Sequence, residues 1–396
     1  MDSRAQELLR SPRVAEAIRW LRSHEAWITR QQIRLTQIPA PPFGEERRAR
    51  AFRALLKQAG YRAELDETGN AIAEAPGETE KIVLLSAHLD TAIRPPEPVR
   101  VRREGTRLEA PGICDNGAGL AALLAVAVAF RAARIEPRLR VVFAANVGEE
   151  GEGNLRGMRA LAARYGDRLD SVIAIDGAST THIVTTGLAS RRFEVVMRGP
   201  GGHSWADAGA PSAIHAMGRA IARILAISLP QKPRVTLNVG AMEGGEAVNA
   251  IAARASIKLD LRSESESALA DLENEIRWAC ERAAADEREN ATGAAKSLSA
   301  EFRALGSRPA GRLAADSPLL AAVRDADRFM GFQAQCHAAS TDANLPLSLQ
   351  IPALALGAGG KGGRVHTNAE WYDAAGRVAG VERILLVVLL AAGLAG

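Results

Sequence analysis

The sequence predicts an α/β fold: a catalytic domain with a largely parallel sheet flanked by helices, interrupted by a smaller α+β domain. Three observations predict it. Short, unbroken apolar runs alternate with helical stretches in the first half and again near the end of the chain, as buried parallel strands and their crossovers do. Near residue 188 the pattern changes to polar–apolar alternation, which marks a half-exposed antiparallel strand. The length, 396 residues, exceeds what a single core usually fills. The expected division is 1–187 and 301–396 for the α/β domain and 188–300 for the insert.

The elements follow in order. The chain starts helical, "PAPPFGEE" (39–46) breaks the pattern, and a second amphipathic helix covers 45–59. "KIVLLSAHLD" (81–90), "RLRVVFAANVGEE" (138–150) and "SVIAIDGA" (171–178) read as buried strands, with "GLAALLAVAVAFRAAR" (119–134) a core helix between the first two. In the insert, "ASRRFEVVMRG" (189–199) reads as a strand and 211–227 as an amphipathic helix. A hairpin over 235–263 turns near Gly244-Gly245, and a helix covers 265–287. "ATGAAKSLS" (291–299) reads as a loop. After "GSRPAGR" (306–312) helix and buried strand alternate again, with "PALALGAGG" (352–360) the last strand. "ILLVVLLAAGLAG" (384–396) is too short to cross a ~30 Å hydrocarbon core and reads as a buried helix.

Bulk properties exclude some functions. The formal net charge is only +4, and the densest charge group, "EERRARAFR" (45–53), mixes signs and reads as the wet face of a helix. Without a basic stripe or an aromatic ladder, nucleic acid is not an expected partner. Nor is a membrane: the charged N-terminus has no signal-peptide core. Cys114, Cys280 and Cys336 have no CxxC spacing, so a reducing, cytoplasmic compartment is expected.

Open α/β sheets bind ligands outside the carboxyl ends of their strands. The unusual polar residues fall there: His88 and Asp90, Glu149 and Glu150, and Asp176 at strand ends, Asp115 before the core helix, and His366 in the loop after the last strand. Each alone has a plain alternative. Asp115 could cap its helix, and Asp176 could make a turn. Two histidines with three of these carboxylates on one sheet edge match divalent metal with mixed nitrogen and oxygen ligands. Two metals sharing one carboxylate is the natural arrangement. The glycines 148, 151 and 153 let the backbone turn, so that adjacent glutamates can serve one site.

The motifs "SAHLDT", "GICDNGAG", "GEEGEGN", "AIDG", "RGPGGHSW" and "VHTNAEW" occur in the order seen in the co-catalytic dinuclear zinc metallopeptidases. That family includes peptidase T, glutamate carboxypeptidase, succinyl-diaminopimelate desuccinylase and aminoacylase. From "PAPPFGEE" onward the chain resembles it, and "GLASRRFEVVMRGPGGHSW" (187–205) is most similar to the peptidase T-like branch. The resemblance implies that His88 and Asp176 ligate one metal, Glu150 and His366 the other, and that Asp115 bridges both. It makes Glu149 the general base, acting on a water between the metals, and Asp90 the residue that orients His88. It implies a cis peptide between Asp115 and Asn116.

The same resemblance places His203 over the substrate carbonyl, and Asn249 and Arg262 on the substrate's carboxylate. For Arg262 a surface salt bridge, and for Asn249 a turn, are the alternatives. Asp342 and Asn344 in "STDANL" (340–345) resemble a segment near the substrate pocket. Cys114 reads as a small buried residue, and His182, His215 and His337 fall outside the ligand pattern. "GAGGKGGR" (357–364) lacks the GK[ST] of a phosphate loop and reads as a flexible approach to His366.

The function implied is a metal-dependent di- or tripeptidase of aminopeptidase type. A deacylase or desuccinylase of N-acyl amino acids is the close alternative, and a catalytically silent binding protein a distant one. The implied cofactors are two zinc ions, with cobalt or manganese as substitutes. The implied partner is a second copy, through the middle domain acting as lid and dimer interface.

Overall fold

The structure is a computed structural model and describes residues 4–293 and 296–395. Residues 294 and 295 of the loop expected over 291–299, and residue 396 of the expected C-terminal helix, lie outside the described residues. The chain forms two compact units, Met1–Gly187 with Gly311–Gly396, and Leu188–Ala310. The second unit runs past the boundary expected at 300. The cause is the strand Ser299–Arg308, which pairs antiparallel with Ala189–Arg198 along its length.

A nine-stranded sheet forms the heart of the first unit. Its centre is four parallel strands in the spatial order Leu139–Asn146, Thr79–His88, Leu169–Ile175 and Ala353–Leu356. Apolar runs without alternation form these strands because both faces are covered. Antiparallel strands Ala71–Ala75 and His182–Gly187 flank the four. Helices Gly117–Ala132 and Arg377–Ala392 are buried almost all round; the first is nearly all apolar, and in the second the buried Glu382 and Arg383 are paired with Arg22 and Asp327. Among the described residues, no helix is long and apolar enough to cross a membrane.

Parallel pairing brings the carboxyl ends of the strands together. His88 lies opposite Asn146, and Ile175 opposite Leu356. The residues that follow each strand are therefore neighbours in space, although the chain separates them widely.

Two readings need correction. The helix Glu46–Gln58 forms, but its charged start is not simply a wet face. Arg48 is 1% exposed, and its guanidinium donates to the carbonyls of Leu89 at 2.6 Å and Ile38 at 2.9 Å and to Thr91 Oγ1 at 3.1 Å. It ties this helix to the end of the strand that carries His88. Buried Glu45 accepts both terminal nitrogens of Arg156, at 2.9 and 2.8 Å. The glycine-rich 357–364 segment is not a flexible approach either. Its residues Lys361–Gly363 form a strand, paired with Trp371–Asp373 in a small antiparallel sheet that also holds Arg107–Glu109 and Arg102–Glu104.

The second unit is a four-stranded antiparallel sheet in the order Val235–Gly244, Arg254–Ser263, Ala189–Arg198, Ser299–Arg308. Helices Ala213–Leu225 and Glu266–Glu289 share one apolar core with its strands. Ser265 caps the longer helix by accepting the Ala268 N–H. The expected hairpin is present, with Gly244 opposite Ala255. Its connection is longer than a tight turn, because Ala250–Ile251 pairs with Gly202–His203.

Candidate metal centre

The site is built entirely in the first unit, on the carboxyl edge of the parallel strands. His88 is the last residue of its strand. Past Asn146 the chain turns at Gly148 (φ 66°) and Gly151 (φ 53°), conformations that favour glycine. The loop folds tightly on itself: a Cβ at Gly153 would lie 2.5 Å from the Gly148 Cα. Glu149 and Glu150 are thereby held at 4% and 7% exposure. Asp90 secures the turn, its Oδ1 accepting the Glu149 N–H at 3.0 Å and its Oδ2 the Glu150 N–H at 2.7 Å.

Five side chains converge. One Asp115 oxygen lies 3.0 Å from His88 Nε2, and the other lies 3.2 Å from His366 Nε2. Glu150 Oε1 lies 2.9 Å from the same His366 nitrogen. His88, Asp115 and Asp176 bring one ligand atom each within 4.8 Å of one another, as do Asp115, Glu150 and His366. Asp115 is common to both groups. His88, Glu149 and Glu150 form a third such group. His366 is half exposed and sits in the left-handed region at φ 63°, a strained position of the kind found at functional sites. The peptide between Asp115 and Asn116 is cis.

These residues fit a pair of cations. His88 Nδ1 lies 3.1 Å from the Asp90 carbonyl and 3.6 Å from the Asp90 carboxylate. An imidazole that donates there has its proton on Nδ1, so in the neutral ring the Nε2 lone pair faces the Asp115 oxygen. Two lone pairs at that distance repel unless a proton or a metal lies between them. Tetrahedral zinc with bonds of about 2.0–2.1 Å spaces its ligand atoms about 3.3 Å apart, close to the spacing here.

The electrostatics agree. Burial penalises the charged His88, yet hydrogen bonds to Asp115 and Asp90 hold its pKa well above the usual histidine value. His366 is raised to about 10 by its bonds to Asp115 and Glu150. Burial, and then the Asp115 charge, push Asp176 up to about 7. Burial opposes ionisation of Asp115 too, but the two histidines hold it well below the carboxylate range. Carboxylates this crowded are short of positive charge, and divalent cations would supply it.

One residue of the site escaped the sequence reading. Glu370, 1% exposed, accepts the backbone N–H groups of Gly112, Cys114 and Asp115 at 2.9, 2.7 and 2.8 Å. Burial raises its pKa to about 7, against the pull of those three donors. It stands in the "VHTNAEW" motif, but its partners are distant in sequence and no local signal points to them.

The remaining candidates divide. Asp342 is buried beside the cluster: it accepts from Asn146 Nδ2 at 2.8 Å, and its charge helps to raise Asp176. Asn344 is buried, and its Oδ1 accepts the Thr341 N–H at 2.9 Å, shaping the local turn. His203 and Asn249 lie together in the second unit, where the Ser204 N–H donates to the Asn249 carbonyl. Arg262 lies near the other end of the strand Arg254–Ser263 and donates to Asp260 at 2.8 Å, which is the salt-bridge alternative. Cys114 and Cys280 are buried and Cys336 is exposed, all as free thiols. The rings of His182 and His337 lie 4.0 Å apart on neighbouring strands, and His215 lies 3.3 Å from Glu287.

Comparison with known proteins agrees with this architecture. The model of peptidase family M20/M25/M40 matches residues 84–389. A protein named as a LysW-lysine/LysW-ornithine hydrolase in Pyrococcus abyssi is 35% identical over 127 residues, which are 32% of this chain and 34% of that relative. A peptidase M20 domain-containing protein of Schizosaccharomyces pombe is 30% identical over 186 residues, 46% of this chain and 44% of the relative. The chain thus spans less than half the length of these curated relatives. Among solved structures, a tripeptidase from Staphylococcus aureus has a TM-score of 0.75 at 20% identity, covering 93% of this chain and 98% of that one. Aminopeptidase PepT from Bacillus cereus has a TM-score of 0.72 at 20% identity, covering 93% and 99%. These likenesses establish a shared fold. With most of its length matched by the family model, the chain belongs to peptidase family M20/M25/M40.

Proposed function

We propose that this protein hydrolyses an amide bond in small peptides, as a di- or tripeptidase of aminopeptidase type that depends on two divalent metal ions. The observation that carries the reading is Asp115, which offers one oxygen to His88 and the other to His366, with Glu149 and Glu150 buried in the same cluster. His88, Asp115 and Asp176 would hold one cation, and Asp115, Glu150 and His366 the other; when bound, the pair would supply Lewis acidity toward an amide carbonyl and water.

The chain's own groups move the protons. The Glu149 carboxylate takes a proton from the attacking water and returns it to the leaving amine. His203 Nδ1 accepts the N–H groups of Trp205 and Ala206 at 3.1 and 3.3 Å. That assigns its proton to Nε2, the nitrogen we give the task of donating to the oxyanion. Asn249 and Arg262 bind the substrate's carboxylate in this reading, with Asp342 and Asn344 shaping the pocket.

His203 with Asn249, and Arg262, flank opposite ends of a ten-residue strand. The strand from Arg254 to Arg262 alone covers about 26 Å at ~3.3 Å per residue. A tripeptide spans only about 10 Å. Both groups reach one substrate if a second copy supplies one of them, and this supports a homodimer through the middle domain, which then acts as a lid. Zinc is the working metal, with cobalt and manganese as substitutes. The three unpaired thiols support a cytoplasmic location.

The test is amine release after zinc or cobalt reconstitution, on one plate of dipeptides, tripeptides and N-acyl amino acids. Cleavage of free-amine peptides is expected. Cleavage of acylated substrates alone would replace the peptidase reading with a deacylase.

A further inference from the structure

We propose that Glu370 is a positioning residue: its buried carboxylate clamps the turn that carries Asp115, and so couples the two metal positions that share that aspartate. The proposal rests on the metal-centre reading above and deepens it.

The turn 110–117 is fastened from two distant parts of the chain. Glu370 Oε2 accepts the Gly112 N–H, and Oε1 accepts those of Cys114 and Asp115. From elsewhere, Gln32 Nε2 donates to the Ile113 carbonyl at 2.6 Å. Gly112 adopts φ 73°, and a Cβ there would lie 2.5 Å from Thr91 Oγ1, so the turn has no slack on that side. The direction of the Asp115 carboxylate follows from this backbone.

Glu370 also belongs to the segment that supplies His366. Directly after Glu370, Trp371–Asp373 pairs with Arg107–Glu109, just before the Asp115 turn. The Ala110 N–H donates to the Glu370 carbonyl at 3.0 Å. One short stretch thus carries a ligand of the second metal and fixes the ligand shared by both.

Three converging N–H groups require an acceptor-only partner. A carboxylate meets that need, whereas a glutamine must turn its NH₂ group toward one of the donors. A residue that served only to fill space would tolerate that change. A clamp on a shared ligand would not.

The test titrates metal-free wild-type, E370Q and D115N proteins with cobalt(II), without substrate, by calorimetry and visible absorption. Wild type is expected to bind two ions. E370Q is expected to bind the second ion about ten- to a hundredfold more weakly, with an altered cobalt spectrum, and to have a lowered metal-free thermal midpoint because one buried N–H then faces the amide NH₂. Two ions bound by E370Q with wild-type affinity would overturn the clamp, even with the midpoint lowered. D115N separates the two ideas: if it also binds two ions normally, the metal-centre reading itself fails. Should E370Q not fold, E370D keeps the charge but draws it back by one methylene, and is expected to weaken the second ion in the same direction.

Discussion

Asp90 holds Glu150 by its backbone: Asp90 Oδ2 accepts the Glu150 N–H at 2.7 Å, while Oδ1 takes that of Glu149. The same carboxylate lies 3.6 Å from His88 Nδ1. One buried residue therefore joins the ends of two adjacent parallel strands. Replacing Asp90 by Ala should release both glutamates and the histidine together. Metal affinity should fall about ten- to a hundredfold, and the two stranded N–H groups should cost about 1–3 kcal/mol each. Metal titration and urea unfolding of the Asp90→Ala variant check this. Wild-type affinity would leave Asp90 a bystander.

The site should show opposite pH behaviour with and without metal. Asp176 has a raised folded pKa of about 7, against an ordinary 3.8. Between those values the native state holds a proton that the unfolded chain has lost. This residue therefore makes the metal-free protein less stable as pH rises from about 4 to 7. The raised pKa values of His88 and His366 act in the same direction. Their stabilisation is complete below the ordinary histidine value and is lost as pH rises toward the folded value. Asp115, held low, acts oppositely but below the range tested. A cation replaces those protons, so the rise in thermal midpoint on adding zinc should grow from pH 5.5 to pH 8. A rise that is constant or shrinking over that range would count against these ligands.

The ligand positions are legible because a buried strand that ends in His, Asp or Glu is costly without a partner. "KIVLLSAH", "VVFAANVGEE" and "VIAID" all end this way, and parallel pairing then brings their ends together. Glu370 is not legible in the same way. Its partners lie 255 to 258 residues away, and nothing local in "NAEW" announces burial. Arg48 misleads for a related reason: a charged residue on a helix normally faces water, and only the folded chain brings the Leu89 and Ile38 carbonyls to it. The unit boundary near residue 310 depends on which sheet Ser299–Arg308 joins, and the sequence pattern of one strand does not say.

The glycine loop should be intolerant of a single methyl group. Gly153→Ala would drive a Cβ onto the Gly148 backbone, which cannot yield as a flexible side chain could. A loss of about 1–3 kcal/mol is expected. Urea unfolding should show a lower midpoint with an unchanged slope, together with weaker metal binding as Glu150 moves.

His203→Ala should lower kcat by about 10²–10³-fold, with metal content unchanged. If His203 serves the partner's site, co-expressed Glu149→Ala and His203→Ala chains should complement each other. Random pairing places one competent site in half of the dimers, giving about a quarter of wild-type activity. Complete inactivity of the mixture would place His203 in its own chain's site.

The most direct test of the central claim compares the metal content and peptide turnover of Glu149→Ala with those of wild type. The account predicts two bound metals and a turnover reduced by about 10²–10⁴-fold, because the proton carrier is gone while the ligands remain. Turnover within tenfold of wild type, with both metals bound, would contradict it.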